Sequence, residues 1–210
     1  MAWQLDFSSE FATPSIEFIN PPDNYFVLGM SVGFPVNPGA VPTSGRLEEP
    51  WEKPFVDVFP MPGLNAVSER FKNLVEQFEP GMHQFFPFMI EHRDGTLIDE
   101  KLYIFNCAVG VDAIIFRKHQ PVWQTYEFDP PTLFAGMLEK FELSCPAIGE
   151  HHIWCGETVA PRSLFVSDAF YSAVKHNKIR GLRGRHREEL DDPWTEAEIA
   201  PLIEWNSKRH

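Results

Sequence analysis

The pentapeptide VSERF at residues 67–71 recurs as VSDAF at residues 166–170, at a constant offset of 99 residues. Each copy places a hydroxyl residue first, then a carboxylate, and then apolar residues four positions apart. These apolar residues are Phe71 with Val75 in the first copy and Phe170 with Val174 in the second. Because such spacing is typical of an amphipathic helix with one buried stripe, the chain contains the same structural unit twice.

The serine of each copy indicates how the helix begins. Its hydroxyl oxygen can accept a hydrogen bond from an N–H group of the first turn, and the carboxylate that follows lies at the positive end of the helix dipole. We therefore predict two similar helices, at about residues 68–78 and 167–175, with Ser68 and Ser167 as their N-caps. Capping accounts for both serines without a catalytic role, so the repeat favours a binding protein.

A hairpin is the clearest strand signal in the chain. Apolar runs at residues 84–90 and 101–106 flank the sequence RDGT at residues 93–96, and Asp-Gly between apolar runs favours a tight turn. Pro87 cannot donate a hydrogen bond, so we expect its strand to lie at a sheet edge or to carry a bulge. The pattern of residues 123–143 is ambiguous, and a short helix after Thr132 stays open. Other apolar runs that predict strands are residues 25–32, 55–59, 109–116, 153–155 and 164–166, and a final strand is predicted at residues 182–187.

The order of these elements predicts one α+β domain with a mostly antiparallel sheet. We expect an irregular, proline-punctuated lead-in at residues 1–24, the α+β domain at residues 25–187, and an acidic C-terminal extension at residues 188–210. The extension should contain one short helix. Thr195 and Glu198 match the reciprocal capping-box pattern, so Thr195 is the predicted N-cap.

Composition limits the classes of function. A chain of 210 residues with 43% apolar residues can fill one good core, and its net charge of −12 repels nucleic acid and membrane phosphates while attracting a basic partner. No apolar run approaches the ~20 residues of a membrane span, and the first residues lack secretory-signal features, so we expect a cytoplasmic protein. The three cysteines, Cys107, Cys145 and Cys155, are irregularly spaced and are predicted to be reduced thiols.

The repeat, the hairpin and the closing strand together resemble a known family. The segments that carry the resemblance are residues 67–72, 84–87, 103–106, 111–113, 164–168 and 181–183. In order and spacing they are similar to the α+β immunity proteins of bacterial polymorphic-toxin systems, in the family numbered eleven and named from a Myxococcus member. The likeness covers roughly residues 25–187. The segment after Glu188 has no counterpart in it.

The resemblance implies a cytoplasmic antidote, encoded beside a secreted antibacterial toxin, that protects the producing cell by binding the toxin. It implies no enzyme activity, catalytic residue, metal or cofactor. The acidity of the chain suits a basic toxin, and a nuclease is one candidate because an active site that grips phosphates presents positive potential. The identity of the toxin, the position of the interface and the formation of a homodimer stay open.

Two acidic clusters that each contain a tryptophan are the predicted partner-binding residues. They are Glu48, Glu49, Trp51 and Glu52 in the first cluster, and Glu188, Glu189, Asp191, Asp192 and Trp194 in the second. A carboxylate rim speeds the encounter with a basic protein, and a buried ring supplies affinity. The alternative is a solvated loop and a solvated tail whose tryptophans fold back onto the core.

Residues 145–155 gather two thiols and the adjacent His151 and His152. A zinc site usually has close Cys or His pairs separated by a spacer, and this segment has wide cysteines and adjacent histidines, so we predict no metal there. An alternative function is an enzyme that reverses the toxin's modification. Such an enzyme would use His151, His152 or Cys155.

A basic island supports a further alternative. Arg183, Arg185 and Arg187 alternate, so a strand would place all three on one face, with Leu182 and His186 on the other. This face is either solvated and paired with nearby acids, part of a toxin interface, or the nucleic-acid contact of a regulatory module. The net charge of the chain disfavours nucleic acid.

Overall fold

The computed structural model describes residues 1–8, 10–22, 33–115, 123–124, 132–134, 141–156, 159–160 and 163–208. Its strands are β1 (Ala2–Phe7), β2 (Ile16–Phe18), β3 (Ser44–Leu47), β4 (Val58–Met61), β5 (Leu64–Ser68), β6 (Gln84–Glu91), β7 (Leu102–Asn106), β8 (Ile114–Ile115), β9 (Trp123–Gln124), β10 (Thr132–Phe134), β11 (Glu142–Ser144), β12 (Ile153–Cys155), β13 (Val159–Ala160), β14 (Leu164–Ser167) and β15 (Leu182–Leu190). Its helices are α1 (Glu69–Phe78), α2 (Cys145–Ile148), α3 (Asp168–His176) and α4 (Ala200–Ser207). The chain is α+β, as predicted.

Two six-stranded sheets share one plan. The N-sheet has the order β4-β5-β7-β6-β3-β2, and the C-sheet has the order β12-β14-β1-β15-β11-β8. In both sheets the neighbours are antiparallel except for the fourth and fifth strands, which are parallel as β6 with β3 and as β15 with β11. In both, a helix follows the second strand. A small third sheet has the order β13-β10-β9.

The strand registers extend the 99-residue repeat beyond the helices. In the N-sheet Val67 pairs with Tyr103. In the C-sheet Val166, 99 residues later, pairs with Trp3. The chain is therefore an internal duplication. The position that β7 has in the N-sheet is held in the C-sheet by β1, which comes from the N-terminal end of the sequence. We call the N-sheet with α1 the first half and the C-sheet with α3 the second half.

The prediction of an irregular segment over residues 1–24 is wrong at both Ala2–Phe7 and Ile16–Phe18. The first of these is an inner strand of the C-sheet, hydrogen-bonded to β14 on one side and to β15 on the other. Trp3, Leu5 and Phe7 pack in the core around α1 and α3. Alternation of these residues with polar ones is what a strand with two different faces requires.

The two helices form as predicted and pack between the sheets. Phe71 N donates to Ser68 Oγ at 3.2 Å, and Phe170 N donates to Ser167 Oγ at 3.2 Å, so both serines are N-caps. The Phe71 and Phe170 rings meet edge to face, with 6.3 Å between centroids. Both rings belong to a central core that takes residues from both sheets. Burying one such ring contributes about 1.5–3 kcal/mol, so this core joins the halves firmly.

The hairpin is confirmed, because β6 and β7 pair antiparallel from Gln84 opposite Asn106 to Phe88 opposite Leu102. Pro87 is not on an edge strand, since β6 lies between β3 and β7. Pairing with β3 begins only at Met89, so Pro87 lies in the half of β6 that has β7 as its paired neighbour. A missing N–H is tolerated there.

Other strand predictions shift or fail. The strand expected at residues 55–59 is Val58–Met61, and it contains Pro60, which is tolerated because β4 is the outermost strand of the N-sheet. The helix expected after Thr132 is wrong at its start, because Thr132–Phe134 is a strand. The strand predicted at residues 25–32 lies outside the described residues, as do residues 116–119 at the end of the 109–116 run.

The C-terminal helix is confirmed as α4, with Pro201 in its first turn, where a missing N–H is harmless. The prediction that Thr195 caps it is wrong. A 3-10 turn at Glu196–Ile199 precedes α4, and Thr195 makes no side-chain capping bond to it. Glu198 N donates to the backbone oxygen of Thr195 at 2.9 Å instead, so the backbone already satisfies the group that a side-chain cap would serve.

Candidate interaction surfaces

The first acidic cluster lies where β3 ends. Residues 48–53 face the hairpin turn at residues 92–100, and we call the two segments together the acidic loop surface. Two depressions adjoin on it, of about 430 Å³ beside Glu49 and about 320 Å³ beside Trp51 and Glu52, and both are lined by His92. The surface therefore has an uneven shape, with two adjoining depressions.

Trp51 lines the smaller of these depressions. Its ring is half-buried, 6.4 Å from that of Phe55, and packs on the core of the N-sheet. Its Nε1 donates to no acceptor in the described part of the chain. Lys53 Nζ lies 5.9 Å from the ring centroid. The ring therefore packs on the core but stays partly exposed. This agrees in part with the predicted binding residue and in part with the alternative in which the tryptophan folds back onto the core.

The carboxylates around Trp51 differ in their partners. Glu48 accepts a hydrogen bond from Ser15 Oγ. Glu49 and Glu52 are exposed and form no ion pair with the described residues. Burial raises the pKa of Glu100 at the rim, against the lowering effect of the Arg180 charge. Unpaired carboxylates of this kind attract a basic partner without first breaking a bond.

The second acidic cluster, residues 188–194, lies at the end of β15 and is folded onto α2. Glu189 Oε2 is 2.6 Å from the Met1 amine. Ser144 Oγ donates to Asp192 O at 2.6 Å and accepts from Trp194 N at 3.1 Å. Trp194 is half-buried, whereas Glu188, Asp191 and Asp192 are exposed. The first acidic cluster follows β3, the fifth strand of the N-sheet, whereas the second lies at the end of β15, the fourth strand of the C-sheet.

The histidines and cysteines of residues 145–155 are divided among separate structures. Cys155 is buried with Cys107, and burial together with the hydrogen bond between the two thiols raises the pKa of Cys107 well above its usual value. Cys145 is half-buried beside Glu189, and burial, reinforced by that charge, raises its pKa. Raised values keep both thiols protonated and weakly nucleophilic. Within the described residues, no three Cys, His, Asp or Glu side chains form a metal-binding group.

A buried carboxylate that sequence reasoning missed ties α1 to the C-sheet. Glu79 is 4% exposed; its Oε1 accepts from His152 N at 2.6 Å and from Ile153 N at 3.3 Å, and its Oε2 lies 2.6 Å from His83 Nε2. Burial by itself would raise the pKa of Glu79, but the bonds from His83 and from the two amides outweigh it and lower the pKa. His151 Nδ1 lies 3.8 Å from Oε1. An acid at a helix C-terminus opposes the dipole, and that conflict was the available signal.

Asp57 is the corresponding brace at the other end of α1, and it was also missed. Its Oδ1 accepts from Ser68 Oγ at 2.8 Å, and its Oδ2 accepts from Arg180 N at 2.9 Å. The side chain is buried, at 4% exposure. It therefore joins the start of α1 to the chain that leaves α3.

A cleft of about 660 Å³ opens at the start of α3. Its walls carry Asp168, Glu150 and Glu189, together with His151 and His152. His152 Nδ1 is 2.8 Å from Ser167 Oγ, so the imidazole and the capping hydroxyl share a hydrogen bond. Apolar lining comes from Met1, Phe78, Ile148, Trp154 and Ala169.

The arginine strand is confirmed, with one departure from a solvated face. Arg183, Arg185 and Arg187 alternate along β15, and Arg185 Nε lies 3.0 Å from Asp6 Oδ2. Arg187 is 6% exposed and donates to Gln4 Oε1 from both Nε and Nη2, at 3.1 and 2.5 Å. Its guanidinium carbon lies 4.0 Å from the Phe141 ring centroid. Burial lowers its pKa, and a charge held in this way serves the packing of the C-sheet.

In the described residues, no helix is both long enough and apolar enough to cross a membrane.

Comparison with known proteins identifies the family. None of the curated protein sequences matches the chain. The family model described as "Immunity protein family (Imm11)" matches residues 33–187. That span includes both capped helices, the hairpin and the acidic loop surface, and it is well over half of the 210 residues. The chain therefore belongs to the Imm11 immunity protein family.

Proposed function

We propose that this protein is a cytoplasmic immunity protein that neutralises a cognate, secreted antibacterial toxin by binding it through the acidic loop surface. Membership of the immunity family supports a toxin-neutralising role. The finer proposal rests on one observation: Glu49 and Glu52, which form no ion pair with the described residues, flank Trp51, whose ring is only half-buried. No chemical step on the toxin or its product is needed for this mechanism.

Two physical effects support the acidic loop surface as the interface. The net charge of −12, with Glu49 and Glu52 unpaired, accelerates encounter with a basic protein. The Trp51 ring, already held on one side by Phe55, loses little side-chain freedom when a partner covers its other side. Such pre-ordered aromatic residues are typical of the few positions that dominate binding energy.

A nuclease is the toxin class that the charge favours. The active site of a nuclease attracts phosphates and therefore presents positive potential, which a carboxylate-rich surface complements. The tail cluster is the second candidate contact, although Glu189 and the backbone around Trp194 are already bonded within the chain.

The test is binding to the toxin encoded by the neighbouring gene, measured by calorimetry and by rescue of cells. We expect a stoichiometric complex. Rescue at sub-stoichiometric amounts without a complex would instead favour an enzyme that reverses the toxin's modification. Absence of both binding and rescue would contradict the proposal.

The position of the interface is tested by charge reversal. The triple variant Glu48→Lys, Glu49→Lys, Glu52→Lys should slow association at least tenfold at low salt and flatten its dependence on ionic strength. The matched control makes the same change in charge on the tail, with Glu188→Lys, Asp191→Lys and Asp192→Lys. Equal effects of both triples would mean that the loop has no larger role than the tail cluster or the net charge, and an unchanged rate in the first would remove the loop from the interface.

A further inference from the structure

Two cationic side chains of the same chain lie at the start of α1. Arg70 Nη1 lies 3.4 Å from Asp57 Oδ1, and Arg70 Nη2 donates to Asn177 O at 2.7 Å, so the guanidinium bridges the start of α1 and the end of α3. Lys101 Nζ lies 3.1 Å from Glu69 Oε1. The carboxylates of Asp57 and Glu69, at the start of α1, therefore have cationic partners within the chain.

The start of α3 has the same backbone plan. The 99-residue offset matches Glu69 to Asp168 and Arg70 to Ala169. It also matches Phe78, at the end of α1, to Asn177 at the end of α3.

Two further positions follow from the strands. Ser68 N donates to Asp57 O just as Ser167 N donates to His152 O, so His152 occupies the place of Asp57. Lys101 directly precedes β7, and Met1 directly precedes β1, which holds the place of β7 in the C-sheet.

The second half thus keeps the acid and lacks both cationic side chains. Asp168 stands for Glu69, but alanine replaces Arg70 and methionine replaces Lys101. At this place lies the 660 Å³ cleft, lined by Ala169, Phe78 and His152 and bordered by the carboxylates of Glu150 and Glu189. Glu189 is paired with the Met1 amine, and Asp168 Oδ1 accepts a hydrogen bond from Trp3 Nε1 at 2.9 Å.

We infer that this cleft receives an arginine side chain of the bound toxin, beside Ala169, the counterpart of Arg70; the inference rests on the proposed function. A guanidinium combines a flat, weakly hydrated surface, suited to Phe78, with a fork of donors suited to carboxylates. The methylene stem packs on the apolar lining. The cleft is thus a second contact for the toxin, on a different sheet from the acidic loop surface.

The inference is tested with a probe independent of the toxin. The tripeptide acetyl-Gly-Arg-Gly-amide is titrated into the full chain, and the imidazole NMR signals of His151 and His152 are followed. We expect saturable shifts with a dissociation constant on the order of 1 mM, since one side chain supplies only a few charge-assisted bonds. The citrulline peptide, which has the shape without the charge, should cause shifts at least five times smaller.

The matched variants are Ala169→Arg and Asn73→Arg. Ala169 is exposed, and its counterpart in α1 is an arginine, so Ala169→Arg is compatible with the helix and should fill the cleft and abolish the shifts. Asn73→Arg adds the same residue to an exposed position of α1 and should leave the shifts unchanged. Equal shifts with the citrulline peptide, no shifts in the unmodified protein, or unchanged shifts in Ala169→Arg would overturn the inference.

The toxin separates this inference from the proposed function. If the inference holds, Ala169→Arg should weaken the complex at least tenfold while Asn73→Arg does not. A toxin complex that Ala169→Arg leaves intact would overturn the inference and leave the proposed function standing. Peptide binding in a protein that does not bind the toxin would contradict the proposed function alone.

Discussion

The two halves of the molecule agree in backbone and differ at the ends of their helices. Each half has a serine cap whose hydroxyl also forms a hydrogen bond with a side chain, the carboxylate of Asp57 in one half and the imidazole of His152 in the other. The two carboxylates that reach across to the other half both belong to the first half. They are Asp57, at the start of α1, and Glu79, just after the end of α1.

This difference shows which constraints survive a duplication. Backbone groups at a helix end must be satisfied, so both halves keep the serine cap. The carboxylates that join the halves are not repeated, because Asp57 and Glu79 both come from the first half. Arg70 also joins the halves, through Asn177 O, whereas its counterpart Ala169 has no side chain for such a bond.

The largest effect is expected from the core that the halves share. Phe71→Ala and Phe170→Ala should each lower the free energy of unfolding by about 3–5 kcal/mol, because each leaves a cavity between the two sheets. Urea denaturation followed by circular dichroism measures this. The exposed counterparts Asn73→Ala and Ser172→Ala are the controls and should change the free energy by less than about 0.5 kcal/mol. A large loss in only one of the Phe variants would break the equivalence of the halves.

The carboxylate braces come next. Glu79→Gln and Asp57→Asn keep the shape and lose the charge, so each should lower the free energy of unfolding by about 2 kcal/mol at pH 7, the usual contribution of hydrogen bonds to a charged group. Urea midpoints report the loss. Gln77→Asn, at an exposed neighbouring position, serves as the control. No loss in either brace variant would show that the amide oxygens suffice.

Glu79 also predicts a pH dependence. Its pKa is lowered in the folded state, so its ionised form stabilises the fold above the unfolded-state pKa, and this contribution is lost as pH falls through the lowered folded-state pKa. The unmodified protein should therefore lose more stability on acidification than Glu79→Gln. Urea titrations at stepwise lower pH compare the two, and parallel curves would contradict this assignment.

The caps should have smaller effects, and unequal ones. Ser68→Ala and Ser167→Ala each remove a capping bond, which costs about 1 kcal/mol. Ser68→Ala should cost more, because it also leaves the buried Asp57 without one donor, whereas His152 is half-buried and can bond to water. Thermal unfolding measures the difference, and Ser68→Thr, which keeps the hydroxyl, is the control. Equal losses would mean that the bonds to Asp57 and His152 are equivalent.

The smallest effect is expected from Lys101→Met, which gives the first half the residue found at the matching place in the second. Lys101 and Glu69 are both exposed, at 74% and 44%, and solvent screens such a pair strongly. The melting temperature should stay unchanged within error, measured beside Lys72→Met, which removes a charge elsewhere on the same half. A clear drop for Lys101→Met alone would show that the pair has a structural role.

Some of this structure could be predicted from the sequence. Both helices and their serine caps follow from the VSERF and VSDAF repeat, and the hairpin follows from its Asp-Gly turn, because these signals are local. Apolar residues at positions 3, 5 and 7 also indicated β1, but a six-residue strand gives a weak signal when its partners lie more than 150 residues away. The cap predicted at Thr195 failed because a 3-10 turn satisfied the backbone.

The sites were harder to predict where their residues are distant in sequence. Glu49, Trp51 and Glu52 are an exception, because they are neighbours in sequence and composition alone indicated them. The α3 cleft combines Phe78, His152 and Ala169, which only the packing of α1 against α3 brings together. Its meaning depends on Arg70, in the other half, and a comparison of this kind requires the strand registers.

The position of β1 in the C-sheet determines when that sheet can form during translation. Ala2 pairs with Ser167 and with Arg187, so β1 is translated more than 150 residues before both of its partner strands and waits for them. At about 5–20 residues per second this wait is on the order of ten seconds or more, during which only the N-sheet can close. For a member of an immunity family, resistance should therefore begin only after release of nearly the whole chain, and nascent fragments should give none.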